Sequence, residues 1–71
     1  MTPEELKALK KDASKKKRLA TELASQVHDL VEDGLWTDYD NLPSLAEQTR
    51  AACVEWAEAN AKLEAATEET A

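Results

Sequence analysis

Apolar residues recur in alternating steps of three and four along most of the chain. Leu6, Leu9, Ala13, Lys16, Ala20, Leu23, Val27 and Leu30 form one ladder, apolar except at Lys16. Leu42, Leu45, Thr49, Ala52, Trp56, Ala59, Leu63 and Ala66 form a second, interrupted only by Thr49. A repeat of about 3.5 residues is that of a coiled-coil seam, whereas a half-buried strand alternates every second residue. Two amphipathic helices are therefore predicted.

Their ends carry recognisable signals. Thr2 suits an N-cap, Pro3 the first helical position, and Glu5 completes a capping box. Gly34 is expected to supply the left-handed C′ position that stops the first helix, with Leu35 folding back on the last turn. Asn41 or Ser44 is expected to cap the second helix, Ser44 with Glu47 as another capping box. The predicted fold is all-α, one domain over 1–71. Helix 1 covers about 3–33, the turn about 34–41 and helix 2 about 42–67. A connection this short joins antiparallel neighbours, so the chain reads as a helical hairpin.

Folding the hairpin sets Val27 opposite Leu45, Ala20 opposite Ala52, and Lys16 opposite Trp56. The Lys16 stem is expected along the indole, a cation–π arrangement. The expected core is Leu9, Leu23, Val27, Leu30, Leu45, Trp56 and Leu63. Val31, Ala46 and Cys53 widen the apolar stripe beyond what one partner helix covers. Two hairpins should therefore dimerise into a four-helix bundle.

Composition sharpens that expectation. Among 71 residues, 42% are hydrophobic, only 4% are aromatic and one is glycine. Such a chain suits helices and is too short to bury a comfortable core alone. Its single cysteine, Cys53, makes no internal disulfide. The N-terminal segment lacks the apolar region of a secretory signal, and no stretch approaches the length of a membrane span. A cytoplasmic setting is expected.

The formal net charge of −6 at pH 7 is unevenly spread. Residues 1–27 carry seven bases and four acids, and residues 28–71 carry two bases and eleven acids. The basic run "KKDASKKKR" has no interleaved aromatics, so a nucleic-acid partner is disfavoured. Solvation, or pairing with Glu64, Glu68 and Glu69 at the end of helix 2, is the simpler reading. Cys53 reads as a small core residue beside the seam.

The most specific stretch is the tip. Asp29, Glu32 and Asp33 fall in the last turn of helix 1, where the macrodipole disfavours acids, and Asp38 and Asp40 follow. No Lys or Arg occurs between Arg18 and Arg50. His28 and Glu32, four apart, share a helix face, and with Asp29 they are candidate ligands for a divalent metal such as iron, nickel or zinc. One hairpin offers too few such ligands, so a second protomer would complete the set. Neutralisation of the acids within an oligomer is the competing structural reading. Asp33, Trp36, Asp38 and Tyr39 are candidates for contact with a basic protein partner. For Trp36 and Tyr39, capping of the bundle's end is favoured over presentation, because apolar rings cover exposed core. A lone histidine with no nucleophile–base pair gives catalysis no footing.

The order His28, Asp29, Leu30 and Glu32, then Asp38 and Tyr39, then "LPSLAEQT", resembles a small Rop-like family encoded in nitrogen-fixation gene clusters beside NifX-type cofactor carriers. The resemblance covers residues 23–63 and picks out His28, Asp29, Leu30, Glu32, Pro43, Leu45, Ala46 and Thr49. It implies an oligomerising hairpin with an accessory role in nitrogenase maturation or metal supply, its partners being other maturation proteins. The chain departs from the pattern at "DGLWT", where residues 34–37 resemble a small insertion.

Overall fold

The computed structural model describes residues 2–70, with side chains through residue 68. Helix α1 (Pro3–Asp29) runs into a π-helical turn (Leu30–Gly34), a single turn α2 (Leu35–Asp38), a 3-10 turn (Tyr39–Asn41) and helix α3 (Leu42–Thr70). The capping box at the start of α1 is present. The Thr2 hydroxyl accepts from the Glu5 N–H at 3.2 Å, and the Thr2 N–H donates to the Glu5 carboxylate at 3.3 Å. Two of the orphan N–H groups of the helix start are matched in this way, and the Leu6 N–H, reaching the Thr2 carbonyl at 3.1 Å, makes the first regular bond of the helix.

The long helix folds back on itself, α1 lying along α3 in a rod 51 Å long and 14 × 13 Å across. Every position of both ladders is buried or half-buried. The period that makes these residues helical thus also decides which face is covered. Thr49, the polar member of the second ladder, turns its hydroxyl back onto the Leu45 carbonyl at 2.7 Å, so no polar group is stranded in the seam.

The covered interior is thin. The buried residues among those described are Ala13, Leu30, Ala52, Ala59 and Ala66. Alanines let the helices approach closely, but each contributes only about one methyl, roughly 0.8 kcal/mol. The larger seam residues Leu6, Leu9, Leu23, Val27, Leu45, Trp56 and Leu63 stay half-buried. The chain exposes 5491 Å², roughly a quarter more than a compact protein of its mass. Its radius of gyration is 16.0 Å, against about 11 Å for a globular domain of this length. No described helix is long and apolar enough to cross a membrane.

Several sequence expectations need correction. Gly34 adopts φ −115°, ψ 2°, and no described residue has positive φ, so no left-handed stop ends helix 1. The backbone widens instead. With i→i+5 spacing, Leu35 falls on the same face as Leu30, whereas continued α-helix would carry it outward. Asn41 belongs to the 3-10 turn, and Ser44 lies inside α3, its hydroxyl accepting from the Gln48 amide at 3.1 Å rather than forming a capping box. Glu47 pairs with Arg50 at 3.8 Å. The Lys16 ammonium pairs with Asp12 at 3.4 Å, an i,i+4 pair. Cys53 is exposed, not core.

Candidate functional site

Two surfaces remain once the hairpin has closed: a groove along the shaft and the tip. The groove follows the line where α1 and α3 meet. Lys17, Ala20, Ala24, Cys53 and Trp56 line one cleft of about 240 Å³. Lys17 and Trp56, with Ala13, Asn60 and Leu63, line the adjoining one of about 410 Å³. Lys17 lines both clefts with Trp56, and Lys10 lines the second. Lys17, Ala24 and Asn60 each lie four residues beyond a ladder position, on the flank of the seam. That offset is the signal that could have picked them out as residues facing a second layer.

The basic run is a separate, outward surface. Lys11, Ser14, Lys15 and Arg18 border one shallow depression. Among the described residues no ion pair links these bases to Glu64 or Glu68, and Glu64 instead accepts from the Asn60 amide at 3.2 Å. The Glu69 side chain lies outside the described residues. Among the described residues the expected charge match between helices is thus not made by direct pairs, and within the run Lys16 pairs with Asp12.

At the tip, Leu30 is buried, and Leu35, Leu42 and Leu45 are half-buried around it. These leucines close the end of the seam. Trp36 is 88% exposed and Tyr39 58%. Within the single hairpin, neither aromatic ring covers the end of the seam, and Leu35 is the half-buried residue there. One residue further around the helix, Trp36 points away. The Thr37 hydroxyl donates to the Gly34 carbonyl at 3.3 Å and ties the short turn together.

The candidate metal ligands are neighbours in water. His28 Nδ1 lies 3.6 Å from a Glu32 oxygen and 3.8 Å from an Asp29 oxygen, all three side chains being about two-thirds exposed or more. Both separations exceed hydrogen-bond length. Among the described residues no group of three or more His, Cys, Asp or Glu is gathered to hold a metal. Asp33 and Asp38 line, with Asp29, Leu30 and Leu45, an open cleft of about 660 Å³. Asp40 is exposed in the 3-10 turn.

A rod of two helices, closed at one end by its own leucines and with a long side groove, is a hairpin of the kind that bundles are assembled from. The sequence matches the Rop-like family over residues 4–68, and the chain belongs to that family. The family is a non-catalytic one, and this chain is a non-enzymatic helical protein. No curated protein and no solved structure matches it.

Proposed function

We propose that this chain is a cytoplasmic accessory protein of nitrogen fixation that works as a homodimeric four-helix bundle and assists nitrogenase cofactor maturation. The half-filled interior carries the oligomeric part. The surface in excess of a compact chain is of the order that each partner buries in a standard interface, about 800 Å². The shaft groove, with Trp56 at its centre, is where the second hairpin seats. The likeness of His28, Asp29, Leu30, Glu32, Asp38, Tyr39 and "LPSLAEQT" to the nitrogen-fixation proteins supports the cellular setting.

Metal handling belongs to this proposal only in a shared form. One hairpin holds His28, Asp29 and Glu32 in water without converging them. Two tips brought together would offer enough nitrogen and oxygen ligands for iron, nickel or zinc. A second reading, a helical adaptor that binds one protein without metal, is favoured by the exposed aromatics of the tip. RNA binding rests on fold analogy alone, and the basic run offers no stacking rings.

Light scattering across micromolar concentrations tests the bundle, and a stable folded monomer there rules it out. Titration calorimetry with ferrous, nickel and zinc ions tests the shared site. Binding that persists unchanged in His28→Ala removes that histidine as a ligand. Deleting the gene should impair growth under nitrogen-fixing conditions and leave growth on fixed nitrogen unchanged.

A further inference from the structure

We infer that the closed end of the hairpin is a docking surface for a basic protein segment, with Trp36 as its anchor. This rests on the adaptor reading above and is an alternative to the shared metal site, because both would use the exposed acids Asp29 and Glu32, whereas the bundle itself uses the shaft.

Trp36 is 88% exposed, Tyr39 58% and Val31 48%, all within one short stretch of helical turns. A tryptophan that covers no core of its own chain, held on ordered backbone, has the composition and the rigidity of a binding anchor. In the hairpin Leu30 is buried and Leu35, Leu42 and Leu45 are half-buried, while the Trp36 ring stands out from them. From Leu30 to Asn41 the backbone is continuous helical turn, and Trp36 follows Leu35 directly. Docking there orders a side chain but no loop, which keeps its entropic cost small.

Charge states the partner's chemistry. Asp29, Glu32, Asp33, Asp38 and Asp40 are all exposed in the same stretch as Trp36, with no Lys or Arg between Arg18 and Arg50. The cleft lined by Asp29, Asp33, Asp38, Leu30 and Leu45 suits a lysine or arginine, whose stem lies on leucine while its head meets carboxylate. A helix with an apolar stripe bordered by bases meets both features at once. Phosphate-bearing nucleic acid and anionic lipid are repelled by the same carboxylates.

A second copy of this chain fits less well. In a fully overlapped antiparallel pair, the tip comes level with the open end of the partner hairpin, where Glu4, Glu5 and Glu68 stand with a single base, Lys7, and the basic run begins further along the shaft. In a parallel pair the two acidic tips meet each other. The occupant is therefore a different protein.

The test uses the full chain with Trp56→Phe, which leaves Trp36 as the only indole. The probe is a synthetic amphipathic helical peptide of leucine and lysine. The controls are the same peptide with glutamate for lysine and a lysine-only peptide of equal length. The leucine–lysine peptide should shift Trp36 emission to the blue and bind more weakly as salt rises. Trp36→Ala in the wild-type chain, followed by calorimetry, should lose about tenfold or more in affinity with helicity unchanged. Asp33→Asn with Asp38→Asn should also weaken binding, and the lysine-only peptide should bind the wild type no better than the leucine–lysine peptide binds Trp36→Ala. Unmoved Trp36 emission, undiminished binding by Trp36→Ala, or equal binding of the glutamate peptide overturns the inference. So does a Trp36 shielded from aqueous quencher in the free protein, which makes a second copy the occupant. Light scattering on each variant reads the bundle independently, so loss of the dimer and loss of docking are told apart.

Discussion

The molecule's two tryptophans stand in opposite regions and have opposite surroundings. Trp56 lies on the second ladder, half-buried in the shaft, where it lines the groove with Lys17. Trp36 stands at the tip, 88% exposed, beside a seam that leucines have already closed. The shaft is regular and under-filled: its buried residues are alanines, and its large side chains reach a surface that only another helix layer can cover. The tip is irregular, with three kinds of helical turn in succession, the first of them, the π turn, separating Leu30 from Leu35. The first region calls for more of the same chain, and the second for something else. An aromatic ring takes its role from the backbone period around it, not from its chemistry alone.

The largest blow to the shaft is Leu23→Asp. A chain of this length has about 4–10 kcal/mol of total stability. Placing a carboxylate in the seam costs about 3 kcal/mol or more, and the dimer's contribution is lost with it. Circular dichroism should show loss of helix at micromolar concentration, and a variant that melts like wild type means the ladder is not the core. Trp56→Ala comes next. A half-buried indole is worth about 2 kcal/mol, below the range for a fully buried one. Because Trp56 also lines the groove, its loss should lower the melting temperature and raise the dimer dissociation constant together. A fall in stability with dimerisation intact would place the interface elsewhere.

Trp36→Ala should do almost nothing to stability, within about 0.5 kcal/mol, as for exposed positions without partners. The pair of alanine substitutions therefore separates the regions directly: chemical denaturation distinguishes shaft from tip by a difference of well over 1 kcal/mol. Equal effects at both positions would mean that Trp36 is covered in the assembled protein.

The shaft was legible from residue spacing because a single physical rule, burial of one helix face, governs all of it. Even Lys16 and Thr49 occupy inward positions, their polar ends satisfied by Asp12 and by the Leu45 carbonyl. The tip followed no such rule. Gly34 before Leu35 signals a left-handed stop as readily as a widened turn, and local sequence does not choose between them. The widened turn leaves Leu35 half-buried and Trp36 88% exposed. His28, Asp29 and Glu32 were placed together correctly on the helix surface, but spacing alone says nothing of convergence. Lys17 was missed because it stands one residue past the ladder member that pairs with Asp12.

The smallest expected effect bears on that turn. Were Gly34 in the left-handed region, Gly34→Ala would cost about 1–2 kcal/mol, the penalty of placing a Cβ against the following carbonyl. At φ −115° that penalty is absent. An alanine Cβ would meet an Asp38 carboxylate oxygen at 3.0 Å and a Leu30 methyl carbon at 3.5 Å. The second is an ordinary contact, and the first is the free end of an exposed side chain, which can swing into water. Against this small adjustment, alanine recovers about 0.5–1 kcal/mol of unfolded-state entropy and helix preference. Gly34→Ala should therefore be neutral or stabilising by a few tenths of a kcal/mol, read as a small rise in the denaturation midpoint. Destabilisation beyond 1 kcal/mol would return Gly34 to the left-handed stop and, with it, Leu35 and Trp36 to open positions. The orientation of the anchor and the conformation of this one glycine are the same structural fact, and the substitution tests both.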